Sequence, residues 1–318
     1  MLLAGIILSL LALTVITYFA GQYARKNLMK VFPPPGKMVG RTQHRLHVNC
    51  QGQGPVSVLL EAGLNEFSVH WYRVQALLAQ HTKTCSYDRA GLGWSEISQN
   101  PSTLENMVND LQMVIQSVND SQPMILVGHS YGSLVVRRYA QLYPDNIRAL
   151  VLVDPANEFM ADRLTGYREE ITSAAGQFKR LQTMASLGLM AFSRGSIPGG
   201  QLEGEALEQY RAVLASGSFF KGAYAESSAM LDNLTAMQQH DAPLRSEIPV
   251  VILSRGRSSQ NTTGTQNDIL GQDETWASLQ ADLANRLSAK QIVAKHNDHH
   301  LQLAEPDLVY KTVLSFIE

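Results

Sequence analysis

The sequence predicts an α/β fold, a mostly parallel sheet covered by helices and interrupted once by a helical insertion. Three observations carry this reading. Short apolar runs alternate with segments whose apolar residues recur three and four apart. That rhythm breaks between Glu158 and Asp241, where several helix-forming segments follow one another. The chain of 318 residues is long enough for one large core with an insertion.

The first segment stands apart from that core. Residues from Met1 to Ala20 carry no charged side chain and are mostly Leu, Ile, Ala and Val. About twenty such residues can cross a hydrocarbon core, so 1–20 reads as a transmembrane anchor and 21–41 as a juxtamembrane linker. A signal peptide usually opens on a basic region and ends on small residues. Here no Lys or Arg precedes the run, and Tyr18-Phe19-Ala20 fits cleavage poorly. Arg25, Lys26 and Lys30 follow it, which by the positive-inside rule puts the folded portion in the cytoplasm. Cys50 and Cys85 fall on strands whose ends can be neighbours. A disulfide between them favours an oxidising compartment and a periplasmic or extracytoplasmic placement; two buried thiols leave the charge bias standing.

The folded portion divides into a first core part at 42–157, a helical lid at 158–242 and a second core part at 243–318. Strands are expected at Arg45–Asn49, Val56–Leu60, Thr84–Tyr87, Met124–Val127 and Ile147–Val153, the last stopped by Asp154-Pro155. Helices are expected around Trp71–Ala79, Leu104–Val118 and Leu134–Leu142. Within the lid, Ala206–Leu214 and Ala223–Met237 read as helices. Ile248–Leu253 then resumes the sheet, Glu274–Leu287 is a helix, Lys290–Ala294 is the last strand and Asp307–Ile317 the closing helix.

Several function classes lose support at this stage. The formal net charge is −2, and no basic stripe with interleaved aromatics appears, so nucleic-acid binding is not expected. His296, His299 and His300 lack a second ligand cluster, no HExxH is present and the cysteines do not form CxxC. Neither a metal nor an organic cofactor is expected.

The informative motif is Gly128-His129-Ser130-Tyr131-Gly132, directly behind the apolar run Met124–Val127. It reads as a nucleophile elbow: a strand delivers Ser130 to a strained turn, the glycines leave room, and a helix starts behind it. The amides at that helix start face the place where negative charge gathers during acyl transfer.

With the landmarks Ala62-Gly63-Leu64-Asn65, Tyr87-Asp88-Arg89-Ala90-Gly91-Leu92-Gly93-Trp94-Ser95, the Ser130 elbow and Asp298-His299-His300 in that order, the chain resembles the α/β-hydrolase superfamily. The resemblance covers about Thr42 to Glu318 and is nearest to proline iminopeptidases, monoacylglycerol lipases and small lid-bearing esterases. It implies an eight-stranded sheet with an inserted lid. It also implies Ser130 as nucleophile, His299 rather than His300 as base, and backbone amides of Leu64 and Tyr131 as the oxyanion hole. An aspartate at the elbow would look like an epoxide hydrolase or dehalogenase; Ser130 argues against both. The acid stays open. Most relatives carry it after the strand matching Val250–Leu253, where this chain offers Asp268, Asp273 or Glu274; some carry it one strand earlier, at Asp154. Asp88 and Arg89 are expected to stabilise their turn, and the apolar lid side chains suit an apolar acyl group.

These readings converge on a membrane-tethered serine hydrolase cleaving a small or medium carboxylic ester through an acyl-enzyme. An aminopeptidase or amidase with the same mechanism is the chemical alternative, and a non-hydrolytic small-molecule receptor the alternative from another class.

Overall fold

Strands buried on both faces need near-continuous apolar sequence, and such runs assemble into one eight-stranded sheet here. The computed structural model describes the backbone of residues 2–42, 44–118, 122–240, 243–257 and 266–317; side chains of residues 2–4, 10 and 266–271 lie outside that description. The strands are β1 (Lys37–Arg41), β2 (His44–Gln51), β3 (Ser57–Glu61), β4 (Lys83–Tyr87), β5 (Met124–His129), β6 (Ile147–Val153), β7 (Val250–Ser254) and β8 (Lys290–Val293). Their order is β1-β2-β4-β3-β5-β6-β7-β8. β2 pairs antiparallel with β1 and β4, and every other pairing is parallel.

Side chains alternate between two cores, as the two-residue period of a strand requires. On one face Leu59, Leu126, Leu150 and Ile252 pack with helices α3 (Leu104–Val118), α4 (Gly132–Leu142) and α10 (Gln266–Arg286). On the other, Val58, Ile125, Val151 and Leu253 pack with α2 (Tyr72–Leu78) and α12 (Pro306–Leu314), which follows the short α11 (Leu301–Ala304). Helix α3 buries Leu104, Val108, Leu111 and Ile115, the three- and four-residue spacing of one helical face. Between β6 and β7 the chain leaves the sheet for a large helical insertion. It comprises α5 (Met160–Arg163), α6 (Tyr167–Ser186), α7 (Leu189–Phe192), α8 (Gly204–Ser216) and α9 (Phe219–Gln239).

The segment before the core differs from the sequence expectation. Helix α1 runs unbroken over Leu2–Val31, and the 21–41 segment, expected as a linker, holds its last turns and the whole of β1. In β1 only Val39 is buried. An edge strand with one buried residue carries almost no periodic signal.

Cys50 and Cys85 face each other across the β2–β4 pair and form a disulfide. Bridges persist in oxidising compartments.

Candidate active site

The site is built at the C-terminal ends of neighbouring parallel strands. β5 ends at His129 and hands Ser130 to a turn with φ of +48°, a left-handed value costly for any residue with a Cβ. The turn holds because its surroundings leave no alternative: the Ser130 N–H donates to the Val153 carbonyl at 3.0 Å, and the Ser130 carbonyl accepts from Ala156 at 3.0 Å. The two motif glycines are required by space. A Cβ on Gly128 would lie 2.7 Å from Val136 Cγ2, and one on Gly132 would strike the Ala62 carbonyl oxygen.

β6 pairs in register with β5, His129 opposite Val153, so the residue after β6 stands beside Ser130. That residue is Asp154, also left-handed at φ +38° and fully buried. One carboxylate oxygen, Oδ1, accepts the Arg255 backbone N–H and the Trp276 indole N–H, each at 3.0 Å. The other, Oδ2, lies 2.6 Å from His299 Nδ1, and His299 Nε2 lies 2.8 Å from Ser130 Oγ. With Nδ1–H donating to Asp154, Nε2 is left to accept the Ser130 hydroxyl. The three side chains therefore form one hydrogen-bonded chain.

Electrostatics agree with that order. Burial alone would raise the Asp154 carboxyl, but the hydrogen bond and charge of His299, with Arg255 and Trp276, hold it below the ordinary aspartate value. His299 is lowered from 6.5, chiefly because burial disfavours the imidazolium, with Asp154 pulling the other way.

Of the other acid candidates, Asp273 meets Arg255 Nη2 at 3.3 Å. The side chain of Asp268 lies outside the described residues. Leu64 and Tyr131 both belong to segments flanking Ser130. Leu64 borders the same cavity, and Tyr131 precedes α4. Among the described residues neither of their backbone amides donates to a backbone carbonyl outside the regular helices and strands. His300 turns away from Ser130 toward Glu66, 3.0 Å from its carboxylate.

Two residues hold the surrounding loops, and both act over distances that local sequence conceals. Glu66 accepts the Gly63 N–H at 2.9 Å and contacts His129 Nδ1 at 2.9 Å. His129 in turn lies 3.0 Å from the His299 carbonyl. One carboxylate thus joins the 62–65 loop, the elbow and the histidine loop. Burial opposes its charge, but His129, His70 and His300 outweigh that and keep it well below the usual carboxylate range.

Arg89 is the second. The sequence reading assigned it to its own turn, yet its buried guanidinium reaches the 62–65 loop. It donates to the Ala62 and Gly63 carbonyls at 2.6 Å each, and pairs with Glu61 at 2.6 Å and Glu226 at 2.5 Å. Glu226 also accepts the Asn65 N–H at 3.0 Å, and the Asn65 amide donates to Ser227. Asp88 holds its turn through the Trp94 amide at 2.8 Å and also reaches outside it, accepting the Ser68 amide at 2.8 Å and meeting His47 Nδ1 at 2.8 Å. We expect Arg89→Met to lower unfolding stability by about 3–5 kcal/mol, because it strands two buried carboxylates. Denaturant titration in detergent checks this; a loss within experimental error would contradict it.

A cavity of about 370 Å³ opens over Ser130 and His299. Leu64, Met160, Leu164 and Met230 give it an apolar wall, while Glu66, His300 and Arg255 give it a polar one. Of the apolar lid residues, Met160, Leu164 and Met230 reach this cavity, whereas Phe219 and Phe220 are buried between the lid and the core residues Phe67, Val69 and Leu92. Among the described residues no group of three or more His, Cys, Asp or Glu is placed to hold a metal ion.

A family model described as alpha/beta hydrolase fold matches residues 56–306. The Bacillus subtilis (strain 168) protein named uncharacterized protein YqjL is 22% identical over 273 residues, covering 86% of this chain and 85% of its own. A thermophilic esterase from Thermogutta terrifontis matches in structure with a TM-score of 0.61 at 17% identity, over 88% of this chain and 97% of that one. The epoxide hydrolase CorEH matches with a TM-score of 0.64 at 18% identity, over 88% and 97%. An esterase and an epoxide hydrolase fit this backbone about equally, so the likeness carries the fold and leaves iminopeptidase, lipase and esterase unseparated. Since the family model spans most of the chain and the sheet order, elbow and helical insertion accompany it, the chain belongs to the alpha/beta hydrolase fold family.

Proposed function

We propose that this protein is a serine hydrolase that cleaves a carboxylic ester through an acyl-enzyme. The observation that supports this most is the unbroken chain from Ser130 Oγ through the His299 ring to Asp154, open to a cavity. In this reading Ser130 attacks the carbonyl carbon as His299 Nε2 takes its proton. The tetrahedral oxyanion accepts from the Leu64 and Tyr131 amides. Collapse expels the alcohol, which leaves with the proton from His299. Water then repeats the sequence on the acyl-enzyme and frees the acid. Asp154 holds the Nδ1–H and stabilises the imidazolium. The apolar wall at Leu64, Met160, Leu164 and Met230 suits the acyl chain, and an ester of small or medium size suits the cavity.

The test is reaction of the full chain with a fluorophosphonate probe, read by intact mass. A single adduct that requires Ser130 supports the hydrolase. A well-folded protein that never labels moves the non-hydrolytic receptor to the front.

The pH profile follows from His299. Its pKa is lowered from 6.5, so the neutral, proton-accepting form persists into mildly acidic solution. We expect the acid limb of kcat/KM to reach half its maximum at a pH below 6.5. A half-maximal point above 6.5 in an ester-hydrolysis profile would contradict the lowered value.

Helix α1 we read as a membrane anchor. Its span Gly5–Val31 is long and apolar enough to cross a bilayer, and only 6% of its most apolar window is buried, so the protein's core does not account for it.

A further inference from the structure

We propose that the corner joining α6 to α7 in the lid is a second membrane contact, entering the bilayer interface beside α1. The proposal rests on reading α1 as a membrane anchor. Large exposed apolar side chains are scarce on the body of this protein. Outside α1, those among the described residues are Leu142, Val293 and four within one short stretch: Met184 at 45%, Leu187 at 43%, Leu189 at 37% and Phe192 at 59%. A single exposed leucine needs no explanation, but four in nine consecutive residues make a patch.

The position of that patch names its occupant. The backbones of Gly21 in α1 and Gly188 in the corner touch: a Cβ on Gly21 would lie 2.6 Å from Gly188 Cα. The Gln22 side-chain amide donates to the Ser186 carbonyl at 2.9 Å. Both contacts fix the corner at the level of residues 21–22 of α1. The uncharged part of α1 ends there, because Arg25 and Lys26 come next. At about 1.5 Å of rise per residue, Arg25 stands roughly 6 Å farther along the axis than Gly21. The corner is therefore level with the boundary between apolar helix and the first charges, the depth at which interfacial side chains lie. On the membrane side of this level α1 exposes Val15, Ile16 and Phe19, so apolar side chains of anchor and corner meet the same boundary.

The arrangement also ties the membrane to the site. Helix α6 ends at this corner and begins at Tyr167, which lines the cavity over Ser130. A helix of 20 residues spans about 30 Å, so one rigid rod joins the bilayer contact to the cavity wall.

The test uses the full chain in phosphatidylcholine vesicles. Its two native cysteines are bridged, so single cysteines introduced by Phe192→Cys, Leu187→Cys, Ile7→Cys and Asp145→Cys can each take an environment-sensitive fluorophore. Doxyl-labelled lipids then report depth. We expect loss of fluorescence at positions 192 and 187 with shallow doxyl groups, at position 7 with deep ones, and none at Asp145, which is 87% exposed on the body. Quenching at 7 without quenching at 192 or 187 would overturn the corner contact and leave the anchor intact. An unquenched position 7 would remove the anchor reading, and this proposal with it.

Discussion

Ser130→Ala is expected to abolish fluorophosphonate labelling and to lower kcat on a reactive ester by on the order of 10⁶-fold. In the proposed mechanism the hydroxyl is the group that bonds to substrate carbon, and it lies 2.8 Å from His299 Nε2, which takes its proton during attack. Alanine keeps the Cβ that the φ of +48° already tolerates, and it keeps the backbone bonds to Val153 and Ala156. Fold and thermal midpoint should therefore change little. If, as proposed, the amides of Leu64 and Tyr131 bind the oxyanion, residual turnover above the uncatalysed rate is expected from them alone. A variant that labels and turns over like the parent would place the nucleophile elsewhere.

What the sequence made legible, and what it did not, divides along one physical line. Features fixed by neighbours in the chain could be read directly. The elbow is such a feature, since Gly128 and Gly132 are needed by contacts within a few residues of Ser130 and by the adjoining strand. Helix α3 is another, its ends at Leu104 and Val118 matching the periodic apolar positions. Which carboxylate meets His299 is not legible in the chain, because the contact of Asp154 with His299 depends on pairings that also bring the Arg255 N–H and the Trp276 indole to Asp154. Nothing near Glu66 in sequence announces that it joins Gly63, His129 and His300. Arg89 reads in sequence as stabilising its own turn, and its side-chain partners Glu61 and Glu226, 28 and 137 residues away, are not visible from the motif. Strand β1 escaped for the opposite reason: with Val39 its one buried residue, it has too little pattern to read.

Asp154→Asn is expected to cost on the order of 10⁴-fold in kcat while leaving the fold intact. Oδ1 of Asp154 accepts two N–H groups, from Arg255 and Trp276, so an asparagine must leave its carbonyl oxygen there. Its NH₂ then points at His299 Nδ1, 2.6 Å away in the parent. Donor cannot face donor, so the ring adopts the tautomer with the proton on Nε2. That nitrogen now presents N–H to Ser130 Oγ and has no lone pair with which to take the serine proton. The loss is therefore in basicity, not in binding: KM should hold while kcat falls, and fluorophosphonate labelling should slow by a similar factor. Asp154→Ala would confuse this by leaving two buried donors unpaired. The parallel variant Asp268→Asn tests the open alternative at a residue other than Arg255, Trp276 and His299, which contact Asp154. If that variant lost activity while Asp154→Asn kept it, the acid would lie in the first turn of α10, and the contact of Asp154 with His299 would be structural only.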